Sequence, residues 1–112
     1  MNGRIWLLNS AGLACGAYGM YRYSEATWAD VAEDMRVNRD RVVSRIGYVQ
    51  TAALIERKTG FRPAISRENS ILAEGDYAYV VRLPYRVDPT TKGTAVLIAD
   101  DEWEVALLER LS

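Results

Sequence analysis

The chain has 112 residues, with 49% apolar residues, 26% charged residues and a net charge of −1. The length and composition predict one globular domain, residues 1–112, with a core that needs no metal or disulfide. The net charge excludes general coating of duplex nucleic acid. The single cysteine, Cys15, cannot form an internal disulfide, which favours a reducing cytoplasm. Asn9 and Ser10 interrupt the first apolar run, so neither a signal peptide nor a membrane helix of roughly 20 apolar residues is expected.

Positive charge is concentrated in one part of the sequence. Of the 14 basic residues 12 are arginine, and residues 36–67 contain eight basic side chains against two acidic ones. Residues 100–109 contain five acids and no base. The asymmetry predicts one surface for an anion and another for solvent, and the planar donors of arginine suit phosphate oxygens. A GC-rich genome, which favours arginine codons, explains the arginine excess equally well.

Two strands and a helix are predicted in the first 40 residues. RIWLLNS at 4–10 predicts a buried strand, AGLACGAYG at 11–19 a loop, and MYRYS at 20–24 a second strand. SEATWADVAEDMRVN at 24–38 has apolar residues at helical spacing, with Ser24 or Thr27 available as the N-cap. RVVSRIG at 41–47 could be a short strand or a turn.

The strongest helix of the sequence is YVQTAALIERKTG at 48–60, which ends at a glycine suited to a helix C-terminus. Its predicted apolar face is made by Val49, Ala52, Ala53, Leu54 and Ile55. AISREN at 64–69 could be a strand, and GDYAYVVRLPYRV at 75–87 predicts a strand with a bend at its proline. AVLIADDEW at 95–103 is ambiguous, and EVALLERL at 104–111 could be a last strand or a terminal helix. Together these elements predict an α+β fold, with a single mixed sheet of four or five strands and two helices.

Several common chemistries are absent from the sequence. The chain has no histidine and one cysteine, which excludes the usual zinc sites and the Ser-His and Cys-His nucleophile pairs. It has neither G-x-x-x-x-G-K-[ST] nor G-x-G-x-x-G. The acids at 100–102 could hold magnesium, but such runs more often form a solvated surface. No metal site and no cofactor are therefore predicted.

The junction Gly47-Tyr48 is the feature that indicates binding. The first N–H groups of a helix have no partner within the helix and form an anion site, and glycine allows close approach. Thr51 could add a hydroxyl donor one turn into the helix. Four arginines could complete a phosphate site: Arg45, Arg67, Arg82 and Arg86. The structural alternative is that Gly47 is only a turn, Tyr48 covers the core and the arginines are solvated.

A series of short motifs resembles a known family across nearly the whole chain. The motifs are LLNSA, YRY, SRIGYVQTA, SRE, GDYAYVVRL and YR, in that order. They are similar to motifs of the type III anti-CRISPR ring nucleases, viral and prokaryotic proteins that degrade cyclic tetra-adenylate. The resemblance implies a C2 homodimer that binds the cyclic ligand across its interface, with the same donors presented twice.

The resemblance also implies which residues contact the ligand. The strand-end Asn-Ser of the family corresponds to Asn9 and Ser10, and its ligand-contacting arginines correspond to Arg67 and Arg86. The family places an acid shortly after the second arginine, and Asp88 is the nearest acid here.

Tyr48 departs from the family pattern. The enzymes have Ile-Gly-His, and that histidine acts as general acid on the leaving 5′-oxygen while a ribose 2′-hydroxyl attacks. An unperturbed histidine has a pKa of about 6.5 and a tyrosine one of about 10, so tyrosine is a poor substitute as a general acid at neutral pH. Its ring could instead stack on a base. Tyr48 is thus predicted to bind ligand, and no catalytic residue is assigned.

Three functions remain open from the sequence. The first is a viral sponge in the host cytoplasm that sequesters a cyclic nucleotide of a prokaryotic antiviral system. The second is a metal-independent ring nuclease in which positioning and arginine charge suffice for cleavage. The third is the same fold with a protein or another nucleotide as partner, which an exposed aromatic patch around Trp28 or Trp103 would favour.

Overall fold

A computed structural model describes residues 3–10, 18–83 and 100–112. The predicted loop at 11–17, the segment 84–99, and therefore Arg86 and Asp88, lie outside the described residues. The strands are β1 (Ile5–Leu8), β2 (Tyr21–Glu25), β3 (Val42–Arg45), β4 (Tyr77–Arg82) and β5 (Glu104–Arg110), and the helices are α1 (Trp28–Val37) and α2 (Val49–Thr59). Short 3₁₀ helices occupy Arg39–Arg41 and Asp100–Glu102.

The five strands form one mixed sheet in the order β2-β5-β4-β1-β3. β1 is parallel to both β3 and β4, whereas β5 is antiparallel to β4 and β2. The predicted α+β fold, a mixed sheet with two helices, is confirmed for the described residues. The parallel strands β1, β3 and β4 place their carboxyl ends at one edge of the sheet, which is where ligands commonly bind in open sheets of this kind.

β1 is apolar throughout because both of its faces are buried. Ile5 and Leu7 join a core with the two helices, and Trp6 and Leu8 join a second core on the opposite face of the sheet. All four are at most 5% exposed. Since successive residues of a strand point to opposite faces, a central strand covered on both sides has no position for a polar side chain.

The two helices contact each other and cover one face of the sheet. Thr27, not Ser24, is the N-cap of α1: its hydroxyl accepts from the N–H of Asp30 at 3.1 Å, and the Asp30 carboxylate accepts from the N–H of Thr27. At the end of α2, Gly60 has φ 79°, a left-handed conformation that glycine adopts without strain.

The structure decides the ambiguous segments. RVVSRIG and EVALLERL contain β3 and β5, whereas AISREN forms only an isolated bridge between Ile65 and Ile46. The buried residues of α2 are Thr51, Ala52, Leu54 and Ile55, so the predicted apolar face was wrong at Val49, which is 61% exposed. Among the described residues no helix is long and apolar enough to cross a membrane.

Candidate functional site

The ends of β1 and β3 bring two predicted site residues together. The strands are paired in register, with Leu8 beside Arg45, so Asn9 and Gly47 leave the sheet at the same edge. The N–H of Gly47 donates to Asn9 Oδ1 at 2.7 Å. The Asn-Ser and Gly-Tyr motifs, 38 residues apart in the chain, thus meet in one place.

Tyr48 is the N-cap residue of α2 but does not cap the helix with its side chain. Its backbone is extended, with φ −125°, and its carbonyl accepts the first helical hydrogen bond from the N–H of Ala52 at 3.1 Å. The phenol forms no capping bond and is 42% exposed. The first N–H groups of α2 therefore receive no N-cap side-chain acceptor, in contrast to those of α1.

Arg67 lies directly over this junction. Its Nε donates to the carbonyl of Gly47 at 3.1 Å, and its guanidinium lies 5.2 Å from the centre of the Tyr48 ring, a cation–π contact. A Cβ on Gly47 would lie 3.2 Å from Arg67 Cγ. Glycine at 47 thus makes room for the Arg67 side chain; the close approach of a ligand at Gly47 stays a prediction.

Arg45 is fixed beside the same junction by several partners. Its Nη1 donates to the carbonyl of Ser44 at 2.9 Å, its Nε donates to the carbonyl of Asn69 at 3.3 Å, and its guanidinium lies 5.2 Å from the centre of the Trp6 ring. Its Nη2 forms an ion pair with Glu68 at 3.3 Å. Only 19% of the Arg45 side chain is exposed, against 79% for Glu68.

These groups line one open cavity, which we call the strand-end cleft. It has a volume of about 440 Å³, within the range of about 300–1,000 Å³ typical of small-molecule sites. Its two arginines and one glutamate give it an excess of one positive charge. The lining residues are Asn9, Ser10, Arg45, Gly47, Tyr48, Ser66, Arg67 and Glu68.

Six of the nine candidate ligand-binding residues named from the sequence line this cleft: Asn9, Ser10, Arg45, Gly47, Tyr48 and Arg67. Thr51 is 1% exposed on the buried face of α2, so the structure does not bring its hydroxyl into the cleft. Arg82 ends β4 and lines a different cavity, where its Nε lies 3.8 Å from a Glu104 carboxylate oxygen. Arg86 lies outside the described residues.

Sequence reasoning missed Ser66 and Glu68, although both flank Arg67 in the SRE motif. Trp28 and Trp103 are half-buried: both pack against the core, and both also line the cavity that contains Arg82, beside the exposed Tyr23. In the part of the chain that the structure describes, no group of three or more His, Cys, Asp or Glu residues is arranged to hold a metal ion. Asp100, from the acidic run, pairs with Arg57 at 2.7 Å.

Comparison with known proteins agrees with this architecture. A solved structure, B116 of Sulfolobus turreted icosahedral virus (STIV), matches with a TM-score of 0.72 and 15% identity, over 96% of this chain and 100% of that chain. At this identity the match shows the fold alone. No curated protein matches the sequence. A family model described as STIV B116-like matches residues 5–102, and the chain therefore belongs to the STIV B116-like family.

Proposed function

We propose that this protein binds and sequesters a cyclic oligonucleotide messenger of a prokaryotic antiviral system. The observation that carries the proposal is the position of Arg67 over a helix N-terminus whose N-cap residue, Tyr48, makes no side-chain capping bond, at the carboxyl ends of two parallel strands. Helix N–H groups and a guanidinium both donate hydrogen bonds to phosphate oxygens. The cleft combines these donors with the exposed ring of Tyr48. A nucleotide presents the matching groups, a phosphate and a flat base.

The base has two candidate stacking surfaces. The guanidinium of Arg67 already covers one face of the Tyr48 ring. A base therefore stacks either on the other ring face or on the outer face of the guanidinium, since both kinds of surface bind nucleobases. Stacking of this type contributes about 1–3 kcal/mol per base without strong sequence preference.

Sequestration is favoured over cleavage by the chemistry at position 48. The ring nucleases that the sequence resembles have a histidine there, and this chain has none at any position. Arg67 and the helix N-terminus stabilise phosphate charge in the bound ligand as well as in a transition state, so they add affinity without providing a general acid. An abundant binding protein would lower the free messenger and blunt the host response.

A homodimer completes the proposed site. Tyr48 and Val49 at the start of α2 are 42% and 61% exposed, and Ile65, which precedes the cleft residue Ser66, is 47% exposed. Apolar side chains exposed around a polar cleft suit contact with a second copy. A C2 dimer would present two equivalent clefts to a cyclic ligand that has its own rotational symmetry.

The test is to incubate the purified protein with cyclic tetra-adenylate, smaller cyclic nucleotides and cyclic ADP-ribose isomers, followed by chromatography. Stoichiometric depletion, with intact ligand recovered after denaturation, is the expected result. A thermal-shift screen identifies the ligand, because binding to the folded state raises the melting temperature. Linear products formed over multiple turnovers would establish the ring nuclease instead, and no binding by any cyclic nucleotide would indicate a different partner.

A further inference from the structure

Arg45 and Glu68 form an ion pair whose two members differ sharply in how firmly they are held. The guanidinium of Arg45 is fixed by two backbone carbonyls and the Trp6 ring, and four-fifths of its side chain is buried. Glu68 is 79% exposed, and its carboxylate forms the 3.3 Å ion pair with Arg45. A firmly held cation thus faces a largely solvated anion inside the strand-end cleft.

We propose that Arg45 is a second anion subsite of the cleft, in which the Glu68 carboxylate takes the place of a ligand phosphate until the ligand binds. A guanidinium has five N–H donors, and the two bonds to backbone carbonyls leave the Nη2 group directed at the carboxylate. Each phosphodiester of a cyclic oligonucleotide offers the same kind of oxygen acceptors with the same single negative charge, and the ligand's other phosphates contact Arg67 and the helix N-terminus at the same time. The phosphodiester therefore displaces Glu68, and the carboxylate moves into solvent.

The exchange costs little because the contact that breaks is weak. The pair is 3.3 Å long and Glu68 is 79% exposed, so water competes for the carboxylate and screens its charge. Arg45 itself needs no rearrangement, since its partners on β1, β3 and the segment around Asn69 hold it in place before and after the exchange. Such preorganisation reduces the ordering cost of binding.

Glu68 also limits which anions bind. With the carboxylate in place the cleft has one excess positive charge, so a ligand with a single weakly held phosphate gains little by displacing it. A ligand with two or more phosphates contacts Arg67 and the helix N-terminus at the same time and compensates for the exchange. The inference rests on the proposed function for the ligand class, a cyclic oligonucleotide, but the anion subsite itself does not depend on that function.

Calorimetric titration with inorganic pyrophosphate at fixed ionic strength tests the subsite. We expect Glu68→Gln to bind pyrophosphate about twofold to fivefold more tightly than the unmodified protein, because the competing carboxylate is removed. Arg45→Gln should weaken binding about tenfold, and adding Glu68→Gln to it should have no further effect. Glu56→Gln is the matched control, since Glu56 forms an exposed ion pair with Arg62 at 3.0 Å and does not line the cleft.

Equal affinity of Glu68→Gln and the unmodified protein, or no measurable pyrophosphate binding by either, would overturn the subsite. The subsite would also be overturned if Glu68→Gln tightened pyrophosphate binding by the same factor in the Arg45→Gln protein as in the unmodified protein. Because Glu68 is exposed, its single variant decides the question even if Arg45→Gln does not fold.

The same variants titrated with cyclic tetra-adenylate separate this inference from the proposed function. If pyrophosphate responds to Glu68→Gln but cyclic nucleotides do not bind, the subsite stands and the proposed function is wrong. If cyclic nucleotides bind with an affinity that Glu68→Gln leaves unchanged, the function stands and the subsite is wrong.

Discussion

Tyr48 occupies the position that holds the proton donor in the ring nucleases that the sequence resembles, next to the proposed phosphate-binding groups. Its ring supports the guanidinium of Arg67, and its backbone begins α2. The ring of Tyr48 thus supplies surface beneath the Arg67 guanidinium, whereas the positive charge of the cleft comes from Arg45 and Arg67.

If the protein binds its ligand without cleaving it, as we propose, replacing Tyr48 with histidine should introduce cleavage. Histidine, with an unperturbed pKa near 6.5, can donate a proton to the leaving oxygen at neutral pH, and general acid catalysis contributes about 10²–10⁴-fold. We expect Tyr48→His to release linear product from a cyclic oligonucleotide that the unmodified protein returns intact, as measured by chromatography over several turnovers. Tyr48→Phe keeps a ring beneath Arg67 and is the control: it should bind without cleaving. Equal cleavage by both variants would assign catalysis to another group.

Asp76 is a structural carboxylate rather than part of the cleft. It is 5% exposed and accepts from the N–H of Arg4 at 2.8 Å, Trp6 Nε1 at 3.0 Å and the N–H of Ala73 at 2.9 Å. Burial raises the pKa of Asp76, but these hydrogen bonds and the charge of Arg4 outweigh burial, so its pKa lies below the usual 3.8.

Asp76→Asn should lower the free energy of unfolding at pH 7 by about 2–3 kcal/mol, because an amide nitrogen would face an N–H donor. The folded pKa is depressed, so the stabilisation is complete above the unfolded pKa near 3.9 and is lost as pH falls through the folded value. Urea unfolding should therefore show the two proteins converging below about pH 4. Asp101→Asn, at an exposed position, is the control and should have the same free energy of unfolding as the unmodified protein at every pH. A loss of stability in Asp76→Asn that does not change with pH would contradict this account.

At the scale of elements, a carboxylate joins helix α1 to strand β4. Asp34 Oδ2 accepts from the hydroxyls of Tyr77 and Tyr79, each at 2.7 Å, and Asp34 Oδ1 accepts from the Asn38 amide at 2.8 Å. Burial and the carboxylate raise the pKa of both tyrosines well above the usual 10. The phenols thus remain protonated donors across the physiological range.

Asp34→Ala should destabilise the fold by about 2–4 kcal/mol, more than either Tyr77→Phe or Tyr79→Phe at about 1 kcal/mol each. Asp34→Ala removes the carboxylate that accepts from two partly or fully buried tyrosine hydroxyls. Removing one of these hydroxyls leaves the hydrogen bond of the other tyrosine to Asp34 intact. Urea unfolding with unchanged m-values measures the difference. Glu33→Gln, next in the chain and exposed in its pair with Arg36, is the control and should leave the urea unfolding curve nearly unchanged.

The elements show how far the sequence predicts this fold. α1 is predictable because Thr27 and Asp30 form a local capping box, and β1 because both of its faces are buried. β5 is ambiguous because Glu104–Arg110 fits helical and strand spacing alike, and its pairing with β2 and β4 decides between them. The ion pair of Arg45 with Glu68 depends on a tertiary contact 23 residues apart, which no local pattern encodes.

For the whole molecule, folding offsets part of the charge asymmetry present in the sequence. Arg36, Arg57 and Arg62 pair with Glu33, Asp100 and Glu56, and Arg45 pairs with Glu68, so four of the eight basic side chains of residues 36–67 form ion pairs, one of them with the acidic run. Arg67 forms no ion pair with any described residue. Its excess charge therefore lies in the strand-end cleft, next to the exposed apolar side chains that we propose for the dimer contact.

Replacing one apolar side chain at the proposed dimer contact with an acidic one should separate the subunits. We expect sedimentation equilibrium to give twice the 12.6 kDa chain mass for the unmodified protein and the single mass for Val49→Asp, because a buried carboxylate in each subunit would lack a partner. An acid in the first turn of α2 is favourable for the helix, so the monomer should remain folded. Val37→Asp is the matched control, since Val37 is 57% exposed at the end of α1 and does not line the cleft. Val37→Asp should stay dimeric; a monomeric unmodified protein, or a dimeric Val49→Asp, would place ligand binding within a single cleft.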